Sequence, residues 1–116
     1  MSSYVFDPPP PVSVAIVGSS DRFPVHRIYC VGRNYAEHAR EMGGDPRRES
    51  PVFFTKPADA IVESGAPVPY PQRTTNLHHE VELVVALNGG GKEIPADQAL
   101  QYVFGYAVGN RNTVFD

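Results

Sequence analysis

Polar and apolar residues alternate most regularly over residues 79–87, where Glu80 and Glu82 are interleaved with Val81, Leu83, Val85 and Leu87. A period of two is the mark of a half-buried strand. Side chains alternate between faces of a strand, so His78, Glu80 and Glu82 share one face and the four apolar residues line the other. Val84 and Ala86 continue the carboxylate face with apolar groups, so enclosure is expected on that side too.

Weaker patterns of the same kind predict strands over residues 12–17, 27–31, 52–55 and 103–108, with a shorter one at 60–62. Asn34 is a plausible N-cap for a helix through Met42, stopped by Gly43-Gly44. Pro95 at a first helical position predicts a second short helix over 96–102. Asn88-Gly89 is a hairpin or tight-turn signal, residues 45–50 read as a charged loop, and residues 67–71 as extended and irregular. The sum is a mainly β, β-rich α+β fold with two short helices.

Composition narrows this further. The chain has 116 residues, enough for one domain or part of one and for one modest core. Its 12 prolines and 10 glycines cut it into short segments, and the run Pro8 to Pro11 makes residues 7–11 an extended lead-in arm. Thirteen acids and ten bases are interspersed, for a formal net charge of −3. Nucleic acid is not an expected partner, because that footprint is a clustered basic face. Cys30 alone cannot form an internal disulfide, and its apolar strand marks a buried structural thiol. No apolar run reaches the ~18 residues of a membrane span, and Met1-Ser2-Ser3-Tyr4 lacks the basic head of a signal peptide. A soluble cytoplasmic protein is the expectation.

Two groups of residues carry candidate chemistry. Glu80 and Glu82 place two anions about 6–7 Å apart on one strand face, where they repel unless a cation or donor offsets them. A divalent ion is one answer, and oxygen ligands select Mg²⁺, Mn²⁺ or Ca²⁺; zinc through His78, Glu80 and Glu82 is another; a solvated polar face is the plain alternative. In the helix 34–42, His38 and Glu41 stand three apart and so share a face. A carboxylate beside an imidazole raises its basicity and orients it, as a water-activating base requires. The same spacing suits an ordinary surface helix with Glu37 beside Arg40 and His38 exposed. Gly89-Gly90-Gly91-Lys92 is not a phosphate loop, since Glu93 stands where the magnesium-binding hydroxyl belongs.

In order, Ile28-Tyr29-Cys30-Val31-Gly32-Arg33-Asn34-Tyr35-Ala36-Glu37-His38, Phe53-Phe54-Thr55-Lys56-Pro57, His78 to Leu83 and Gly105-Tyr106-Ala107-Val108-Gly109-Asn110 resemble the fumarylacetoacetate hydrolase family. The arm and Phe23-Pro24-Val25-His26-Arg27 are most similar to its bacterial fumarylpyruvate hydrolases. The resemblance implies a mixed β-sandwich roll, Mg²⁺ or Mn²⁺ as cofactor, a homodimer, and cleavage of a carbon–carbon bond in acylpyruvates. Some relatives decarboxylate or isomerise 2-oxo acids instead, so an oxaloacetate decarboxylase is the alternative activity. Residues 1–26 then form the arm and first strand, and 27–116 the N-terminal part of the catalytic domain.

Carried over by position, Glu80 and Glu82 are metal ligands, and His38 with Glu41 is the water-activating pair. Arg33, Tyr35 and Lys56 are substrate-binding positions. The implied reaction has the metal hold the 2-oxo acid while water, activated by His38, attacks the distal carbonyl and a pyruvate enolate leaves. Where the family reads Gly-Asn-Asp-x-Thr-Ala/Arg-Arg-Asp, this chain reads Gly109-Asn110-Arg111-Asn112-Thr113-Val114-Phe115-Asp116. Arg111 thus holds the third-ligand position, and Asp116 falls about halfway through the family's domain. Both features also fit an inactive truncated remnant. The expectation is weak metal binding, with the Arg111 guanidinium forked onto Glu80 or Glu82.

Overall fold

The computed structural model describes residues 3–32 and 51–114, with side chains described as far as Arg111. The chain divides into two compact units, residues 1–67 and 68–116. Among the described residues strands dominate, in three two-stranded antiparallel sheets. The β-rich reading of the sequence holds. Among the described residues no helix is long and apolar enough to cross a membrane.

In the first unit β1 (Ser13–Ala15) pairs with β2 (Arg22–Pro24). The expected strand at 12–17 is shorter because the chain reverses at once. Gly18 turns through a left-handed φ of 78°, which costs a glycine little. Ser19 Oγ accepts a bond of 3.0 Å from the Asp21 N–H. Arg22 then clamps the pair, its Nε donating to Ser13 Oγ at 2.7 Å and its Nη2 to the Ser13 carbonyl at 3.0 Å.

The second sheet joins β3 (Ile28–Gly32) to β4 (Val52–Lys56), both close to their expected limits. Pro57 ends β4, because it has no N–H for the ladder. The strand expected at 60–62 does not form. Pro57 is followed by a 3₁₀ turn at Ala58–Ala60, with the Ala60 N–H on the Pro57 carbonyl at 3.1 Å. A three-residue apolar run has no ladder to join when its first residue is already committed to a turn.

In the second unit β5 (Leu77–Leu87) runs antiparallel to β6 (Val103–Val114), the longest ladder among the described residues. β6 extends well past the expected end at Val108, because β5 offers it partners as far as Leu77. Asn88-Gly89 does not close a tight hairpin. The connection instead carries a 3₁₀ segment, Ala96–Tyr102, and the Asn88 N–H bonds the Tyr102 carbonyl at 2.9 Å. The left-handed residue in this connection is Glu93 (φ 54°), not a glycine. Pro95, with ψ 143°, stands just outside the 3₁₀ segment as its cap, not at its first position.

The expected modest core is not assembled among the described residues, where no large side chain is fully buried. The reason is architectural. A two-stranded sheet has no second layer of its own, and packed cores need one.

Candidate functional site

Among the described residues, the β5–β6 register creates a charged cluster that joins predicted site residues. Glu80 lies directly opposite Arg111, and Glu82 directly opposite Gly109. Opposed residues of an antiparallel pair project to the same face, so both carboxylates and the guanidinium meet there. Gly109 has no side chain and so sets no competing group across from Glu82. A Cβ at Gly109 would lie 2.6 Å from Val84 Cγ2, so this position cannot take a side chain without displacing a stiff β-branched neighbour.

Arg111 spans both acids. Its Nε and Nη2 converge on Glu80 Oε2 at 3.0 and 2.6 Å, and Nη2 also lies 3.2 Å from Glu82 Oε1. Side-chain exposure is 20% for Arg111, 28% for Glu80 and 35% for Glu82, so the contact with Glu80 is the better shielded of the two. Charge-assisted bonds of this length are the stronger class of hydrogen bond.

The lead-in to β5 is also held. Thr74 is buried, and its Oγ1 accepts from the Asn76 N–H at 3.0 Å. Tyr70 Oη accepts from the Leu77 N–H at 3.2 Å. His78 does share the strand with the acids, but its Nε2 donates to Asn76 Oδ1 at 2.6 Å. Sequence reasoning did not single out Asn76; the Thr-x-Asn spacing before the strand, which favours a side-chain-to-backbone turn, was the available signal.

Two carboxylates on one face suit a hard divalent cation, but this set does not fit one as it stands. The guanidinium nitrogen already sits between them. A doubly charged ion about 4 Å from it would meet repulsion on the order of 8 kcal/mol at an effective dielectric near 20. Among the described residues no three His, Cys, Asp or Glu side chains gather as a metal-binding group. The zinc set His78, Glu80 and Glu82 is accordingly not assembled.

Lys56 belongs to the first unit. It ends β4 opposite Ile28 and is half-buried. With His26, Arg27, Tyr29 and Thr55 it lines an open groove of about 490 Å³. Arg33, Tyr35, His38 and Glu41, with the predicted helix that carries them, lie outside the described residues.

The fumarylacetoacetate (FAA) hydrolase C-terminal family matches residues 27–115. Among solved structures, fumarylpyruvate hydrolase from Pseudomonas aeruginosa, in complex with Mn²⁺ and pyruvate, is 55% identical with a TM-score of 0.85. That likeness covers 96% of this chain and 49% of that one. A chain from Burkholderia cenocepacia is 52% identical with a TM-score of 0.82, over 97% of this chain and 47% of its own. The mitochondrial oxaloacetate tautomerase FAHD1 of Mus musculus is 51% identical over 81 residues, which is 70% of this chain and 36% of the relative. This chain thus spans about half the length of the solved relatives (49% and 47%) and about a third of that curated one (36%). It belongs to the fumarylacetoacetate hydrolase family.

Proposed function

We propose that this chain is the N-terminal portion of an enzyme that acts on a small 2-oxo acid, and that the reaction is hydrolysis of a carbon–carbon bond in an acylpyruvate. Fumarylpyruvate is the substrate we assign, with fumarate and pyruvate as products. The observation that carries this reading is the 55% identity to a fumarylpyruvate hydrolase across 96% of the chain. That relative holds pyruvate, one of the two products of the proposed reaction.

In this reading Glu41 orients His38, and His38 takes a proton from water so that the oxygen can attack the distal carbonyl. The bond between that carbonyl carbon and the pyruvyl methylene then breaks, and the methylene takes up a proton to give pyruvate. Arg33, Tyr35 and Lys56 are cationic or hydrogen-bonding groups suited to holding the two carboxylates of the substrate. The Mn²⁺ held by that relative supports a divalent ion, Mg²⁺ or Mn²⁺, as the cofactor of the reaction class, with Glu80 and Glu82 the acids that would face it. A cytoplasmic homodimer working in aromatic catabolism completes the proposal.

A second reading is conversion of oxaloacetate on the same residues, by decarboxylation or by isomerisation. The similarity to an oxaloacetate tautomerase favours it. The test joins this chain to the remaining half of the Pseudomonas aeruginosa relative, with Arg111 kept and with Arg111→Asp. Pyruvate release from fumarylpyruvate is followed by a coupled dehydrogenase, and oxaloacetate loss is followed in parallel. Preference for fumarylpyruvate in either fusion supports the hydrolase. His38→Ala should then lower turnover by about 10²–10⁴-fold, the usual contribution of a general base. Two folded fusions that turn over neither substrate overturn both readings.

A further inference from the structure

We infer that the Arg111 guanidinium is the resident cation of the Glu80–Glu82 pair, standing where a divalent ion would otherwise sit, so that this chain excludes Mg²⁺ and Mn²⁺ from these acids. The inference rests on Glu80 and Glu82 being the acids that face the ion, but not on which 2-oxo acid is the substrate.

Three features of the ladder support it. Backbone register, and not only a side-chain rotamer, sets Arg111 directly across from Glu80. Gly109 opposite Glu82 carries no side chain that could compete with the guanidinium for the second acid. Nη2 bridges the two acids at 2.6 and 3.2 Å, and Nε adds a second bond to Glu80 at 3.0 Å. An ion at the usual 2.0–2.6 Å from both carboxylates would have to overlap this nitrogen or drive it out. Driving it out strips a half-buried cation of its partners, which burial makes unfavourable.

The arrangement also serves the ladder. Two acids two residues apart on one strand repel each other, and a single planar cation neutralises part of that charge while tying β5 to β6. An arginine suits this better than a lysine, because its fixed fork presents several N–H groups in one plane.

The test is binding of Mn²⁺ to the 116-residue chain, read from the loss of the free-ion electron paramagnetic resonance signal. The unaltered chain, Arg111→Asp, Arg111→Met and Arg111→Asp combined with Glu80→Gln and Glu82→Gln are compared, with circular dichroism to establish that each is folded. Arg111→Asp is expected to bind at least ~100-fold more tightly than the unaltered chain, a difference of about 2.8 kcal/mol. Arg111→Met should fall between them, and the triple variant should lose the gain. Equal affinity in the unaltered chain and Arg111→Asp overturns the inference, whether both bind or neither does. A second measurement needs no substitution. In the unaltered chain, substoichiometric Mn²⁺ should leave the Arg111 Nε–H nuclear magnetic resonance signal sharp, and its selective broadening would put the ion beside the guanidinium and end the proposal.

Discussion

On one face of the β5–β6 ladder, Glu80, Glu82, Val84 and Ala86 stand opposite Arg111, Gly109, Ala107 and Gly105. On the other, Val81, Leu83 and Val85 stand opposite Asn110, Val108 and Tyr106. The charged face is the better covered at its acidic end, where all three ionic side chains are partly shielded. Across the ladder Val81 is 72% exposed, Leu83 62% and Val108 81%. Taken by itself, in a chain that spans about half the length of its solved relatives, this ladder inverts the usual sorting of charge outward and hydrocarbon inward. The difference lies in what each kind of side chain needs. An ion pair is complete within two strands, because its partner can sit directly across the ladder. An apolar side chain needs a second layer about 10 Å away, which two strands cannot supply to themselves.

The sharpest way to break this comparison is at Arg111. Arg111→Ala leaves two acids side by side without their counter-charge, and should weaken the ladder by about 1.5–3 kcal/mol, the range for hydrogen bonds to charged groups. Amide exchange of Val81 and Leu83, measured in metal-free buffer, reads this as lost protection. Added Mn²⁺ should return part of it in Arg111→Ala and none in the unaltered chain. Protection unchanged by the substitution would mean that the ion pair contributes nothing to the ladder.

A smaller effect is expected at Gly109, where added volume must displace Val84. Gly109→Ala should cost about 1–2 kcal/mol by overpacking. The cost should shrink when Val84→Ala is combined with it, because the Cγ2 methyl in conflict is then removed. Additive losses in the double variant would locate the penalty elsewhere than this contact.

The smallest effect belongs to the apolar face. Val108→Thr and Leu83→Ala remove hydrocarbon that already meets water, so in this chain each should change ladder stability by no more than about 0.5 kcal/mol. If either exceeds the loss from Arg111→Ala, the apolar face is covered in solution and the inversion between the faces does not hold there.

Much of the site was legible beforehand. The alternation over 79–87 located the strand, and the same alternation put Glu80 and Glu82 on one side of it. Counting along the family's motif set Arg111 against these acids, and the ladder register brings it there. Strands β3 and β4 were visible as short apolar runs ended by Gly32 and Pro57. These are local properties: side-chain direction follows from backbone period, and β4 stops at Pro57 because proline offers no N–H to the ladder.

Other features depended on residues distant in the chain. Asn88-Gly89 has the composition of a two-residue turn, yet β6 starts only at Val103, and the intervening backbone winds into a 3₁₀ segment. Turn propensity is local, whereas the register that chooses β6 is a sum over the whole length of β5. The apolar run at 60–62 found no partner strand and stayed irregular beyond its 3₁₀ turn. The sequence by itself thus determined which residues alternate and which charges could oppose one another. Only the tertiary structure decided that one guanidinium takes both acids. Alternation states which side a residue faces, but what covers that side is set by elements remote in sequence.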